Sequence, residues 1–331
     1  MYTPSLTAFM SFFSGIHDID DIASQLVFKG LRHSTHKTYL VGQRLYLQFC
    51  HDYSLQPLPT SDQLLLRFIA FAYSKKLSPS TISVYVSSVV SLHQLNGFPA
   101  LKLSYQVRLA QKAVADLGPS PIHRTPITLL LLQDIVSVLP MEGYRLWCSV
   151  LSLAFFGALR GAEYSATFTT GGTICAPLLK HVAFIDLGNS LGIKFTLPKT
   201  KTTNKPIFVH IGCSSKYLCA VCMLRLYLAE RDAVLGLHPE SYLFMNSQGR
   251  PVTKDQVNAV IKSAVAKLGL DPKSYTTHSL RSGAATNASA LGFTEPEIKA
   301  LGHWSSTAYS AYIHDSHLDR YNYAARLAQH I

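Results

Sequence analysis

Four side chains between Ser274 and His314 are of kinds that suit a phosphate group: His278, Arg281, His303 and Tyr312. Imidazole and guanidinium donate hydrogen bonds to anionic oxygens, and a phenol is a latent oxygen nucleophile. Thr276 or Thr277 can N-cap a helix running from about His278 to Leu291, with Gly292 as its C′ stop. His278 and Arg281 then fall three apart on one face, near a helix end that carries partial positive charge and free N–H groups. Glu295 to Leu301 forms a second short helix ended by Gly302, and Ser305 or Ser306 opens a third segment carrying Tyr309 and Tyr312. The chemistry this set suits is attack on a phosphodiester. In the pentacoordinate transition state charge gathers on the nonbridging oxygens, and each well-placed donor there is worth ~3–4 kcal/mol. A phenol, with an ordinary pKa of ~10, needs a base or positive surroundings before it can attack.

The strings HSLRSG and LGHW, followed by a tyrosine nine positions after His303 in the context YIH, resemble the signature of tyrosine recombinases of the phage integrase type. Upstream, FFGALRGAEY resembles that family's first catalytic box, an apolar helix leading into Gly-x-x-Arg-x-x-Glu. The resemblance runs over nearly the whole chain from about residue 34. It implies that Arg160, His278, Arg281 and His303 contact the scissile phosphate, that Glu163 supports Arg160, and that Tyr312 is the nucleophile. Tyr309 lies on the same face and competes for that role. A lysine on a β-hairpin would protonate the leaving 5′ oxygen; in PKTKTTNK Lys199 fits best and Lys201 is its rival. His278 is the candidate base. The implied product is a 3′-phosphotyrosyl intermediate, formed with no metal and no cofactor, whose bond energy is kept for rejoining. The hairpin departs from the family pattern at Lys205-Pro206, where many members keep an arginine.

The implied partner is double-stranded DNA, met by a homo-oligomer of two to four copies, with no membrane and no small-molecule substrate. Three other readings stay open: a catalytically silent DNA-binding protein derived from a mobile element, a type IB topoisomerase-like enzyme, and a metal-dependent nuclease. The last is disfavoured because the core motifs lack clustered carboxylates.

Composition agrees with a globular DNA-binding chain. The 331 residues are 48% hydrophobic and 15% charged, enough for two domains and a large core. The net charge of +11 is spread over both halves, which suits a polyanion. No apolar run approaches the ~20 residues that span a bilayer, and no basic n-region opens the chain. An intracellular location is expected, nuclear in a eukaryote and nucleoid-associated in a prokaryote.

The elements that must position these residues can be read from caps and periodicity. Residues 1–33 form a lead-in, solvated or starting a short helix. Helices follow from Ser34, Ser61, Ser78 with Pro79 at N1, and about Lys102 to Leu117, making a four-helix domain over 34–118 that resembles the family's core-binding domain. Its third helix sets Ser, Thr and Tyr opposite Ile82, Val86, Val89 and Val90, suited to bonding a nucleic-acid backbone. The proline-rich stretch 119–127 reads as the linker, and 128–331 as a mixed α/β catalytic domain. Within it, helices near 128–139 and 142–159 precede strands near 181–187, 191–197 and 206–211 with a turn at Gly188-Asn189. The fold expected is therefore mainly α with a small antiparallel sheet. Cys219-x-x-Cys222, with Cys213 six residues earlier, is half a zinc site lacking its second half, so buried thiols are expected there, and all six cysteines are expected to be reduced.

Overall fold

Hydroxyl side chains that punctuate the sequence become helix starts. In a computed structural model, which describes residues 17–118, 124–168, 174–198, 205–214, 216–304 and 307–312, the chain divides into two units, Met1–Pro121 and Ile122–Ile331. The first carries α1 (His17–Gly30), α2 (His33–Asp52), α3 (Asp62–Ser74), α4 (Pro79–Leu95) and α5 (Tyr105–Leu117). Ser61, Ser78 and Ser104 each accept a hydrogen bond from a first-turn amide of the helix they precede, a cap worth about 1 kcal/mol apiece. Of the two alternatives for the lead-in, the structure has the helix, 14 residues long and starting at the Asp18–Asp21 cluster. One start differs from the sequence reading, since α2 begins at His33 after Arg32, which makes no side-chain cap bond.

One face of each of α2 to α5 meets in a core of Tyr46, Phe49, Leu65, Phe68, Ile69, Ile82, Val86, Val89 and Val107. Gly42 lets α2 and α4 close up: a Cβ there would stand 2.3 Å from the Ser88 hydroxyl oxygen. Ser88 is therefore buried, while Ser80, Ser83 and Ser87 form the exposed hydroxyl row of α4.

The second unit contains α6 (Leu129–Ser137), α7 (Tyr144–Phe156), the single-turn α8 (Gly161–Tyr164), α9 (Ala220–Leu235), α10 (Lys254–Lys267), α11 (Thr277–Ala290) and α12 (Glu295–Gly302). Its larger sheet runs β3 (Val182–Asp186), β4 (Leu191–Leu197), β5 (Ile207–Gly212), antiparallel throughout, with Phe195 opposite Val182 on one side and Val209 on the other. Alternation along β4 and β5 turns Ile193, Phe195, Leu197, Val209 and Ile211 inward onto α7 and α9. A two-stranded sheet, β1 (Thr167–Phe168) with β2 (Ile174–Cys175), is too short to carry a periodic signal in sequence. Among the described residues no helix is long and apolar enough to cross a membrane.

Helix α11 runs through the middle of this unit. Nine of its fourteen residues are buried, from Thr277 to Ala288. Its close neighbour is the segment 125–127, second half of the proline-rich stretch, where Thr125 N–H donates to Ser274 C=O and Ile127 N–H to Ser279 C=O, each at 2.9 Å. Gly283 makes this approach feasible: a Cβ on it would lie 1.7 Å from the Ile127 carbonyl oxygen. The glycine of HSLRSG thus serves packing.

Candidate active site

Arg160 stands where α7 has ended. The helix stops at Phe156, the chain turns through Ala158 at φ +44, and Arg160 becomes the N-cap of α8. Glu163, buried in the first turn of α8, gives both oxygens to Arg160: one accepts the backbone N–H at 2.7 Å, the other the guanidinium at 2.9 Å. The pairing fixes both the turn and the direction of the side chain, which keeps partial exposure while Glu163 has almost none.

Arg281 lies deeper than its sequence position suggests. Three residues after the exposed His278, it is completely buried. One terminal nitrogen donates to the Ala158 carbonyl and the other to the Gly302 carbonyl, and the guanidinium stacks over Trp304 at 4.2 Å from the ring centroid. The residue therefore ties the Arg160 turn to the end of α12. The planar fork of arginine suits two carbonyls and an aromatic face at once.

His303 follows directly, in the left-handed region at φ +53 and ψ +44, as the C-cap of α12. Its neighbours leave little choice of residue: a Cβ on Gly302 would fall 1.9 Å from the Trp304 ring. A non-glycine side chain held in this conformation is uncommon and is found where surrounding contacts enforce it. The Nε2 atom of His303 is buried and has no hydrogen-bond partner among the described residues. Burial holds its imidazole below the usual histidine range; Glu163 opposes this while Arg281 and Arg160 reinforce it.

His278 is held low as well, first because protein crowds water from the ring and then by the charges of Arg281, Lys254, Arg124 and Arg160. Four expected residues, Arg160, His278, Arg281 and His303, thus share one electrostatic neighbourhood built from three separate stretches of chain. The start of α11 differs from the expectation of free amides. Thr277 N–H donates to Asn258 Oδ1 at 2.8 Å, His278 N–H to the Thr276 hydroxyl at 3.2 Å, and Ser279 N–H to Thr276 C=O at 2.9 Å. Anion attraction here comes from side-chain charge.

Lys254 and Arg124 are additions that sequence reasoning missed. A Cβ on Gly161 would stand 3.0 Å from Thr277 Oγ1 and 3.3 Å from Lys254 Cε, so the starts of α8, α10 and α11 meet at this point. Arg124 is anchored by a 2.6 Å bond to the Lys273 carbonyl. A lysine following a helix cap and an arginine among prolines carry no periodic or motif signal; only the fold brings them to His278.

The tyrosines occupy a 3-10 segment, Thr307–Tyr312, where the sequence suggests a further helical turn. Tyr309 packs toward Trp304, with ring centroids 6.4 Å apart, and lies under Lys299. Its phenol is raised above the usual tyrosine range, by desolvation first and then by the charge and hydrogen bond of Glu295. Tyr312 is the last described residue, and its side chain falls outside the description. Lys199 and its rival Lys201, between β4 and β5, also lie outside the described residues.

Residues 189–318 match the model of the phage integrase family. An integrase/recombinase described as a XerD homolog from Selenomonas ruminantium is 24% identical over 285 residues, covering 80% of this chain and 76% of the relative. Among solved structures, a XerH site-specific recombinase in a post-cleavage complex with palindromic difH substrate aligns with a TM-score of 0.62 at 14% identity, over 89% of this chain and 79% of that one. The Tn1549 transposon integrase in complex with transposon right end DNA gives 0.59 at 16% identity, over 92% and 98%. A lambda integrase dimer bound to a COC′ core site gives 0.57 at 16%, over 91% and 96%. Residues 189–318 therefore resemble the phage integrase family domain, and the chain shares the fold of these recombinase and integrase structures.

Proposed function

We propose that this chain is a DNA recombinase that cuts and rejoins strands at specific sites through a 3′-phosphotyrosyl intermediate, with no metal in the chemical step. The observation that carries the reading is the convergence of Arg160, His278, Arg281 and His303 on one neighbourhood, with Glu163 committed to Arg160. Arg160, which keeps partial exposure, offers a donor to a phosphate oxygen, and His303 beside it supplies a second once the bound phosphate favours its charged form. Arg281 adds positive charge from beneath and holds the two against each other. His278, neutral at pH 7 because its pKa is lowered, accepts the proton of the attacking phenol. Tyr312 is the nucleophile: the Tyr309 phenol is raised and paired with Glu295, which disfavours it as an attacking group. Lys199 on the hairpin protonates the departing 5′ oxygen.

The substrate is double-stranded DNA, engaged by two or more copies, as the dimer of the lambda integrase structure engages its core site. Residues 34–118 form the core-binding domain, whose Ser80, Ser83 and Ser87 row suits contacts to phosphates, and 128–331 the catalytic domain. The test is incubation with a pool of nicked half-site duplexes in excess chelator, with circular dichroism to verify that the fold survives it. A protein–DNA band that resists denaturation supports the proposal. Salt-sensitive binding without any such band identifies a silent DNA-binding protein, and cleavage quenched by the chelator identifies a metal nuclease.

A further inference from the structure

We propose that Cys213, Cys219 and Cys222 together hold one soft divalent cation of the zinc type. The sequence shows only a Cys-x-x-Cys pair; the fold supplies the third sulfur, because Cys213 follows β5 and returns beside the start of α9. The three Sγ atoms lie within 4.8 Å of one another, with Cys213 3.5 Å from both Cys219 and Cys222. Zinc bound tetrahedrally at ~2.3 Å per sulfur places its ligands ~3.8 Å apart. The observed triangle is close to one face of that tetrahedron, and small side-chain rotations would complete it.

The surroundings suit thiolates. Cys219 is the N-cap of α9 and Cys222 sits in its first turn, where the helix end carries partial positive charge. Ser214 N–H donates to Cys219 Sγ at 3.4 Å, the kind of bond that supports a sulfur ligand from behind. From Leu187 to Ala229 the chain holds six basic residues and no acidic one, so three sulfur charges meet no like charge from this stretch. Leu218, at φ +66, takes up the turn that presents Cys219. Cys219 is buried while Cys213 and Cys222 are half-buried, which gives a cation an approach and leaves its fourth position to water or a small exogenous thiol. Among the described residues no fourth His, Cys, Asp or Glu joins the cluster. A disulfide accounts for the arrangement less well: it joins two sulfurs at ~2.05 Å and leaves the third without a role. A bound cation would staple the end of β5 to the start of α9, and so brace the strand that follows Lys199 in the chain.

The test uses the full-length protein, stripped of metal under reducing conditions and titrated with cobalt(II) and then zinc. Expected are one cobalt per chain, an intense sulfur-to-cobalt charge-transfer band with tetrahedral visible bands, and loss of both on zinc addition. Cys213→Ser, Cys219→Ser and Cys222→Ser should each weaken binding at least tenfold, whereas Cys175→Ser, at an exposed thiol elsewhere, should leave it unchanged. Should a serine variant fail to fold, alkylation of the wild type decides. Zinc must protect Cys213, Cys219 and Cys222 from alkylation and leave Cys175 reactive. No charge-transfer band, binding that survives loss of Cys213, or alkylation indifferent to zinc would overturn the proposal. So would a disulfide among the three that persists in reductant.

Discussion

Replacing Gly283 with alanine tests the packing that places the site, because two effects of known size oppose each other there. In an open helix interior the change would stabilise α11 by ~0.8–1 kcal/mol, since glycine is the poorer helix former. In this structure the new Cβ would lie 1.7 Å from the Ile127 carbonyl oxygen, which belongs to backbone and cannot rotate away. Ordinary contact needs about 3.4 Å, so α11 and the segment 125–127 must separate by about 1.7 Å. Overpacking costs ~1–3 kcal/mol, and the Ile127–Ser279 hydrogen bond, 2.9 Å long, forfeits ~0.5–1.5 more. The net is a loss of about 0.5–4 kcal/mol after the propensity gain, or a fall in melting temperature of about 1–15 °C for a unit of this size. Because His278 and Arg281 ride on α11, strand cleavage should fall on the order of 10²-fold, the usual consequence of displacing a reactive group by about 1 Å. Thermal unfolding and single-turnover cleavage measure the two effects. Gly212→Ala, whose Cβ would meet open space, is the control and should be near neutral. A Gly283→Ala protein that melts at or above the wild-type temperature would refute this account of the helix.

Glu163→Gln should leave the fold standing but lose a charge-assisted bond of ~1.5–3 kcal/mol to Arg160, lowering denaturant stability by that order and cleavage about 10²-fold. Unchanged cleavage would show that Arg160 needs no support. Arg281→Lys can keep one of the two carbonyl bonds and loses the stack on Trp304, so urea unfolding should show a loss of ~1.5–3 kcal/mol together with abolished cleavage. Retained stability would contradict its bridging role. Both His278 and His303 sit below the usual imidazole range when folded, so the unfolded chain binds more protons as pH falls. Their contribution to stability is whole above ~6.5 and is lost as pH drops below it. The acid limb of cleavage should likewise lie below that pH and vanish in His278→Gln, while a limb above it would contradict the assignment of His278 as a neutral base.

How far the sequence discloses this structure depends on the range of the forces involved. Local features read directly: Thr276 caps α11, Gly292 follows it at φ +81, Ser61 and Ser78 start their helices, and Glu163 meets Arg160 three residues away. Each is settled within one turn of chain. The three strands of the larger sheet are placed within a residue or two, β4 and β5 by their alternation and β3 by the Gly188-Asn189 turn that follows it. What escapes is set by partners far along the chain. Arg281 is buried because carbonyls of Ala158 and Gly302 reach it, and the amide of Thr277 is claimed by Asn258 on another helix. Lys254 and Arg124 join the site only by tertiary approach, as does Cys213 its two companions. The proline-rich stretch reads as a linker by composition, yet its residues 125–127 are bonded to the α11 region. At the tyrosines the helical spacing is satisfied equally by the 3-10 segment found there.

The most direct test of the account is to map the covalent bond. Protein incubated with a nicked half-site duplex, then digested to peptides, should carry the DNA on Tyr312; Tyr312→Phe should abolish the adduct and Tyr309→Phe should leave it. An adduct on Tyr309, or one that persists in Tyr312→Phe, would contradict the central claim.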